Sequence, residues 1–316
     1  MADDNVKVAL VVGASRGIGR QIAIDLAKNG YAVVVAAKST SDAQNVVPFP
    51  PDPNSPQSTI STVEREIIEA GGRATAIPVD VRDFASVQKL VDRTIETYSR
   101  LDVLIYNSGA IWWAPVENTP TKRFQLLQRV NPEGLYSAVQ ACLPHLKRHK
   151  HGRIIVVSPP IYSRFFRGKT AYAMGKVGMS VLTKGLAMDF QRQGLTDMAM
   201  TSLWPAVAIE SAATRQLTDH NPNEACDLRK ATIFSSAVLA ILRAPASHVN
   251  GQLLLDEDFL RSEVGGGVTD FSRYAVVPGS NPRRIMPAVL PDLTVAEQDD
   301  EGKRMDSAKD RGRARL

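Results

Sequence analysis

The chain has 316 residues, 44% of them hydrophobic and 22% charged, and a formal net charge of +5. That balance describes a globular chain able to bury a sizeable core. No apolar run approaches the roughly 20 residues of a membrane span, and the acidic start Met1-Ala2-Asp3-Asp4 does not resemble a secretory signal. No nucleic-acid motif accompanies the mild basicity, the two cysteines (Cys142 and Cys226) form no disulfide framework, and the five histidines show no ligand spacing, so neither nucleic acid nor a metal is expected.

In chain order, residues 6–26 read as a buried strand (Val8, Leu10, Val11, Val12), a glycine turn, and a helix carrying Ile22, Ile24 and Leu26. The turn is Gly13-Ala14-Ser15-Arg16-Gly17-Ile18-Gly19. A strand that runs through glycines into a helix aims the helix's free N–H groups at an anion. Glycine also lets backbone approach a pyrophosphate closely. Taken alone, the same turn is compatible with a plain strand–helix connection.

The second strand is expected at Ala32–Ala37, followed by a loop over 39–58 rich in proline (Pro48, Pro50, Pro51, Pro53, Pro56). Its length marks either a mobile surface insertion or an element that covers a ligand. A capping box, Ser61 with Glu64, opens the next helix, which stops at Gly71-Gly72. A strand over 74–79 ends at Asp80, and helix Phe84–Tyr98 places Val87, Leu90, Val91 and Ile95 on one face. Strand Val103–Tyr106 runs into Asn107-Ser108-Gly109-Ala110, and Thr119-Pro120 starts a long helix.

That helix ends in Lys147-Arg148-His149-Lys150-His151 before Gly152. Cations there complement the helix dipole, with glycine closing the helix; a phosphate-binding patch is the competing reading. Strand Arg153–Val157, a helix over 170–193, a strand over 198–203, a helix opened by Asn221-Pro222 toward Leu242, and a strand over 252–255 complete the pattern. Such alternation implies one α/β domain with a doubly wound, parallel, seven-stranded sheet. The domain is expected over 1–298, with an extension from about 257. Residues 299–316 alternate charges with almost no apolar side chains and read as a disordered tail.

Chemistry enters at Tyr172 and Lys176, one turn apart on the same helix face. An ammonium beside a phenol favours the phenolate, which suits proton exchange with an alcohol or carbonyl. The glycine turn, Asp80, Asn107-x-Gly109, Asn131 and Tyr172/Lys176 together resemble the short-chain dehydrogenase/reductase superfamily, in order and spacing, over about 6–256. The resemblance implies a Rossmann-like fold and a reaction between a carbonyl and a secondary alcohol. It implies Tyr172 as general acid/base, and Lys176 as the group that holds the nicotinamide ribose and lowers the tyrosine pKa. Asn131 would anchor a relay water, Asp80 would meet adenine, and Asn107 would steady the central strand. Homo-oligomerisation through the long helices, around 121–146 and 172–192, is a further family expectation.

The segments Ser158-Pro159-Pro160, Leu203-Trp204-Pro205 with Ala208-Ile209, and Tyr274-Ala275-Val276-Val277-Pro278-Gly279 are similar to a peroxisome-associated branch of that superfamily. The likeness reaches about Pro291, and no sterol-carrier domain of the kind that branch can carry is expected in a chain this short. Three positions depart from the superfamily pattern. Val12 replaces a threonine, and Ala206 replaces the glycine after the strand-six proline; Ile209 and Ser211 would still reach the nicotinamide amide. Pro159 stands where the substrate-polarising serine is usual, leaving Ser158 as either carbonyl donor or loop-capping hydroxyl.

An NAD site wants a carboxylate at the end of the second strand, whereas a 2′-phosphate wants cations. Here Ala36-Ala37-Lys38 offers no acid, and Arg16 lies in the glycine turn, so NADP(H) is expected rather than NAD. The substrate is expected to be a small lipid-like or acyl-CoA-type molecule; an enoyl-CoA reductase and a weakly catalytic NADP-binding regulatory protein are the alternatives. The end, Ala314-Arg315-Leu316, matches the small-basic-leucine pattern of a peroxisomal import tripeptide, implying an import receptor as partner.

Overall fold

Strands buried on both faces need near-continuous apolar runs, and VALVV, AVVVAA and, after Arg153, IIVV supply them. In the computed structural model, which describes residues 6–293, they become β1 (Val8–Val12), β2 (Ala32–Ala37) and β5 (Arg153–Val157). With β3 (Arg73–Pro78), β4 (Val103–Tyr106), β6 (Ala199–Trp204) and β7 (Leu253–Leu255) they form one sheet in the order β3-β2-β1-β4-β5-β6-β7. Every neighbouring pair is parallel. The expected Rossmann-like, seven-stranded α/β architecture is therefore the one observed.

Alternation along β1 sends Ala9 and Val11 to one core and Val8, Leu10 and Val12 to the other. Helices α1 (Gly17–Lys28), α2 (Ile60–Glu69) and α8 (Thr232–Arg243) cover the first face, through residues such as Ile22, Val63 and Phe234. Helices α3 (Phe84–Tyr98), α5 (Gly134–Arg148) and α6 (Thr170–Arg192) cover the second, through Leu90, Leu135 and Phe190. Strand order reverses between β1 and β4, and in open α/β sheets ligands bind beyond the strand C-termini at that reversal. The glycine turn, Asn107 and Ser158 all follow strand C-termini, so they share one edge.

Several local expectations are revised. The capping box of α2 is Thr59 with Thr62, because Glu64 accepts from the Ala76 N–H and Ser61 from the Ser41 N–H. Pro120, not Thr119, holds the cap position of α4 (Thr121–Gln128), and a π turn at Arg129–Glu133 separates α4 from α5. At the end of α5 it is Lys150, not Gly152, that takes a left-handed conformation. The helix expected from Asn221 is broken: α7 (Arg215–His220) and a 3-10 turn at Pro222–Asp227 come first, and α8 begins only at Thr232. Arg229 interrupts it, since its backbone bridges Ile209 on one side and Ala275 on the other.

After α9 (Ala246–Val249) and β7, α10 (Asp256–Arg261) starts the extension. The chain then returns across the sheet edge, where Ile285 and Met286 donate their N–H groups to the Ala206 carbonyl. Arg284 forks onto Asp258, pinning that return. The tail at 299–316 and its final tripeptide lie outside the described residues.

Candidate active site

The glycine turn is built by exclusion. Gly13 has φ +90°, and a Cβ there would stand 2.5 Å from the Ser108 nitrogen; one on Gly19 would stand 2.2 Å from the Gly13 carbonyl oxygen. Only glycine fits either position. Asn107 donates its side-chain amide to that same Gly13 carbonyl at 2.8 Å, tying the end of β4 to the turn. No side chain caps α1, leaving the N–H groups of Ile18 and Gly19 in its first turn open to an anion.

The proline-rich loop lies on this turn. Pro53 accepts from the Gly17 N–H at 3.0 Å, and the buried Ser58 hydroxyl donates to the Ser15 carbonyl at 2.7 Å. Asp52 pairs with Arg215 of α7 at 2.8 Å, so the loop and the segment after β6 are joined. Gly17 sits between them: a Cβ there would be 3.4 Å from Asn54 Oδ1 and 3.6 Å from Ser211 Cβ. Asn54 Oδ1 is itself buried without a partner. The loop is thus held against the glycine turn by backbone and side-chain hydrogen bonds.

Beyond β2, Lys38 points its ammonium at Asp80, 3.2 Å away. Asp80 also accepts from Arg82, whose guanidinium holds the carboxyl far below its usual range. Two cations on one carboxylate leave this end of the cleft net positive. Arg16, partly exposed, occupies the cap position of α1. Ile209 contributes its side chain to the core rather than the cleft, and Ser211 is the residue that reaches Gly17.

Tyr172 and Lys176 meet near the end of β5. Both are 3% exposed, and the Lys176 ammonium donates to the Val157 carbonyl at 2.8 Å. A Cβ on Gly109 would come within 3.2 Å of that ammonium, so Gly109 keeps the space in front of it clear. Burial pushes the Lys176 amine down to about 7 and pushes the Tyr172 phenol above its usual value. The expected depression of the tyrosine by the lysine is thus not the dominant influence here: desolvation disfavours both charged forms. Asn131, fully buried in the π turn, accepts from the Ala110 N–H at 2.9 Å and donates to the Ala110 carbonyl at 3.2 Å. Its side chain is spent on fixing the loop after β4. π turns of this kind recur at functional sites.

Ser158 needs correction. Its hydroxyl is fully buried, donating to Ser202 at 2.9 Å, with the Ser180 hydroxyl oxygen 3.0 Å away. It ties β5, β6 and α6 together and faces the core, which matches the loop-capping reading rather than the carbonyl donor. Pro159 supplies only a carbonyl, which takes the Ser180 hydroxyl at 2.6 Å.

Sequence reasoning missed three features. Asp256, buried after β7, accepts from the Ala206 N–H at 2.8 Å, and desolvation raises its carboxyl to about 7. A buried pair, Arg229 with Glu257 at 2.8 Å, locks the chain through 208–210. An aromatic wall surrounds Tyr172: Phe165 lies 6.1 Å from it, Trp113 6.3 Å, and Trp204 packs edge-on to Phe165 at 5.8 Å. The adjacent pair Trp112-Trp113 in the loop after β4 was the visible signal.

The donor set fits a nicotinamide dinucleotide: a glycine cradle with open N–H groups, cations beyond β2, and a buried lysine in front of Gly109. A family model described as short chain dehydrogenase matches residues 7–49 and 54–219. Hydroxysteroid dehydrogenase-like protein 2 of Mus musculus is 35% identical over 292 residues, 92% of this chain and 54% of that protein. The same-named protein of Danio rerio is 38% identical over 271 residues, 85% of this chain and 60% of that one. The chain thus spans little more than half the length of these curated relatives. Among solved structures, one described as a putative dehydrogenase from Xanthomonas campestris is 35% identical with a TM-score of 0.75, covering 92% of this chain and 98% of that one. A short chain dehydrogenase from Mycobacterium thermoresistibile has the same identity and TM-score, covering 87% and 92%. Fold, glycine turn, tyrosine–lysine pair and sequence similarity agree: the chain belongs to the short-chain dehydrogenase family.

Proposed function

We propose that this oxidoreductase uses NADP(H) to interconvert a carbonyl and a secondary alcohol on a lipid-like or acyl-CoA-type substrate. The observation that carries it is the Tyr172–Lys176 pair at the sheet edge, with the aromatic wall on one side and the glycine turn on the other. A bound dinucleotide would supply a hydride for the carbonyl carbon, and Tyr172 would give its phenolic proton to the carbonyl oxygen. Lys176, buried in front of Gly109, would hold the ribose, and a polar partner there would favour its charged form. Lys38 and Arg16, with no carboxylate at the end of β2, support a 2′-phosphate. An NADPH-consumption screen over ketones, β-ketoacyl-CoAs and enoyl-CoAs tests the proposal; silence toward every ketone would refute it.

A second reading, reduction of a C=C bond in an enoyl-CoA, is favoured by one observation. With Pro159 in place and Ser158 turned into the core, neither residue offers the carbonyl a hydroxyl. A weakly catalytic, NADP-binding regulatory role draws on the same fact, and the same screen separates all three.

Assembly into a homo-oligomer is supported by Met174, Val181 and Met188, exposed at seven-residue intervals along α6, beside exposed Tyr136 on α5. Peroxisomal import rests on Ala314-Arg315-Leu316. A fluorescent fusion carrying the native end should give particles that disperse when Leu316 is removed.

A further inference from the structure

A cavity of about 260 Å³ lies between the 3-10 turn at Ser163–Phe166 and the returning extension, and one of its walls is Phe165, whose ring centroid is 6.1 Å from that of Tyr172. Its walls include Tyr162, Phe165 and Met286, and its charged residues are Arg164, Lys169 and Arg284. No carboxylate lines it. Arg284 is neutralised by the fork onto Asp258, whereas Lys169 and Arg164 have no acidic partner among the described residues.

Lys169 is the informative one. It is only partly exposed, and its ammonium stands over the Phe165 ring at 4.4 Å and the Trp113 ring at 5.7 Å. Those are two of the rings that flank Tyr172. A cation half removed from water between two aromatic faces is attracted by them, but the rings leave its hydrogen-bond donors unused. Burial accordingly lowers its pKa. The extension completes the site from the other side, where the Tyr162 hydroxyl donates to the Met286 sulfur at 3.2 Å.

We propose that this cavity is the substrate-anchoring subsite and that it selects a molecule bearing an anionic group, with Lys169 as the anchor and the Phe165 and Met286 side chains beside it. The assignment rests on the reading that substrate approaches Tyr172 through this cleft. A carboxylate there gains a charge-assisted hydrogen bond in a partly desolvated site, the setting in which such bonds are strong. Arg164, at the exposed rim, adds attraction without direct contact.

Calorimetric titration of the full chain with decanoate and with decanamide, matched in length and differing in charge, tests the subsite without requiring turnover. Decanoate should bind at least tenfold more tightly at pH 7. Lys169→Gln should remove that preference, Lys169→Arg should keep most of it, and Arg164→Gln should reduce it two- to threefold. Equal binding of the two probes to the unaltered protein overturns the proposal whether or not the variants fold. A preference that survives in folded Lys169→Gln overturns it as well. Anion binding without ketone reduction would leave the subsite standing and refute the carbonyl-reductase reading, and a ketone reductase indifferent to the anion would do the reverse.

Discussion

Replacing Lys176 by methionine should stabilise the nucleotide-free protein while removing its grip on the coenzyme. The lysine is 3% exposed and its amine is held at about 7, against an ordinary 10.5, by burial. At 1.36 kcal/mol per pH unit, keeping it charged in the fold costs on the order of 5 kcal/mol. The sign follows from proton counting. Between about 7 and 10.5 the unfolded chain holds a proton that the folded chain lacks, so wild-type stability rises with pH through that window. Below 7 both states are protonated and the full cost is present. Methionine removes the cost but leaves the Val157 carbonyl unpaired, a loss of about 1–3 kcal/mol. The net gain should be roughly 2–4 kcal/mol at pH 6, or about 5 °C in midpoint, shrinking toward zero by pH 9. Thermal unfolding without nucleotide at pH 6, 7.5 and 9 reads this directly. A variant less stable than wild type at pH 6, or a difference that ignores pH, would refute the reasoning.

Tyr172→Phe keeps the ring against Phe165 and Trp113 and should lower turnover by roughly 10²–10⁴-fold with NADPH binding intact; near-normal turnover would mean that the proton comes from elsewhere. Ser158→Ala, by contrast, should cost about 1 kcal/mol of stability and leave turnover within a few-fold, and a loss matching that of Tyr172→Phe would restore Ser158 to the reaction. Joint replacement of Ala37 by Asp and Lys38 by Gln should weaken NADPH more than tenfold while sparing NADH, as fluorescence titration would report. Equal weakening of both would show the 2′-phosphate misplaced. Breaking the Asp52–Arg215 contact with Asp52→Asn should speed nucleotide release severalfold in stopped-flow fluorescence, and an unchanged rate would remove any covering role for the proline-rich loop.

Much of this protein was readable one segment at a time. Buried parallel strands need uninterrupted apolar runs, so Val8–Val12, Ala32–Ala37 and the four residues after Arg153 announced themselves. The glycines at 13 and 19 and the pair Tyr172/Lys176 were visible because their spacing is set by local geometry, a tight turn and a single helical turn. Local signals failed where distant partners competed for the same groups. Ser61 and Glu64 spell a capping box, but Ser41 and Ala76 claim them. Asn221-Pro222 was expected to open a helix toward Leu242, yet it opens only a 3-10 turn, because the Arg229 backbone is claimed by bridges to Ile209 and Ala275.

The same division runs through the active site. Spacing alone names the tyrosine, the lysine and the glycine cradle. Which way a hydroxyl points is decided by what packs against it, and for Ser158 that is Ser180 and Ser202, 22 and 44 residues away along the chain. The pKa of Tyr172 was expected to be lowered by Lys176, its neighbour on the helix; burial outweighs that neighbour and raises it, because desolvation depends on the whole surrounding volume. The wall of the cleft is more remote still. Phe165 and Met286 face one cavity across more than a hundred residues, and only the return of the extension over Ala206 brings them together.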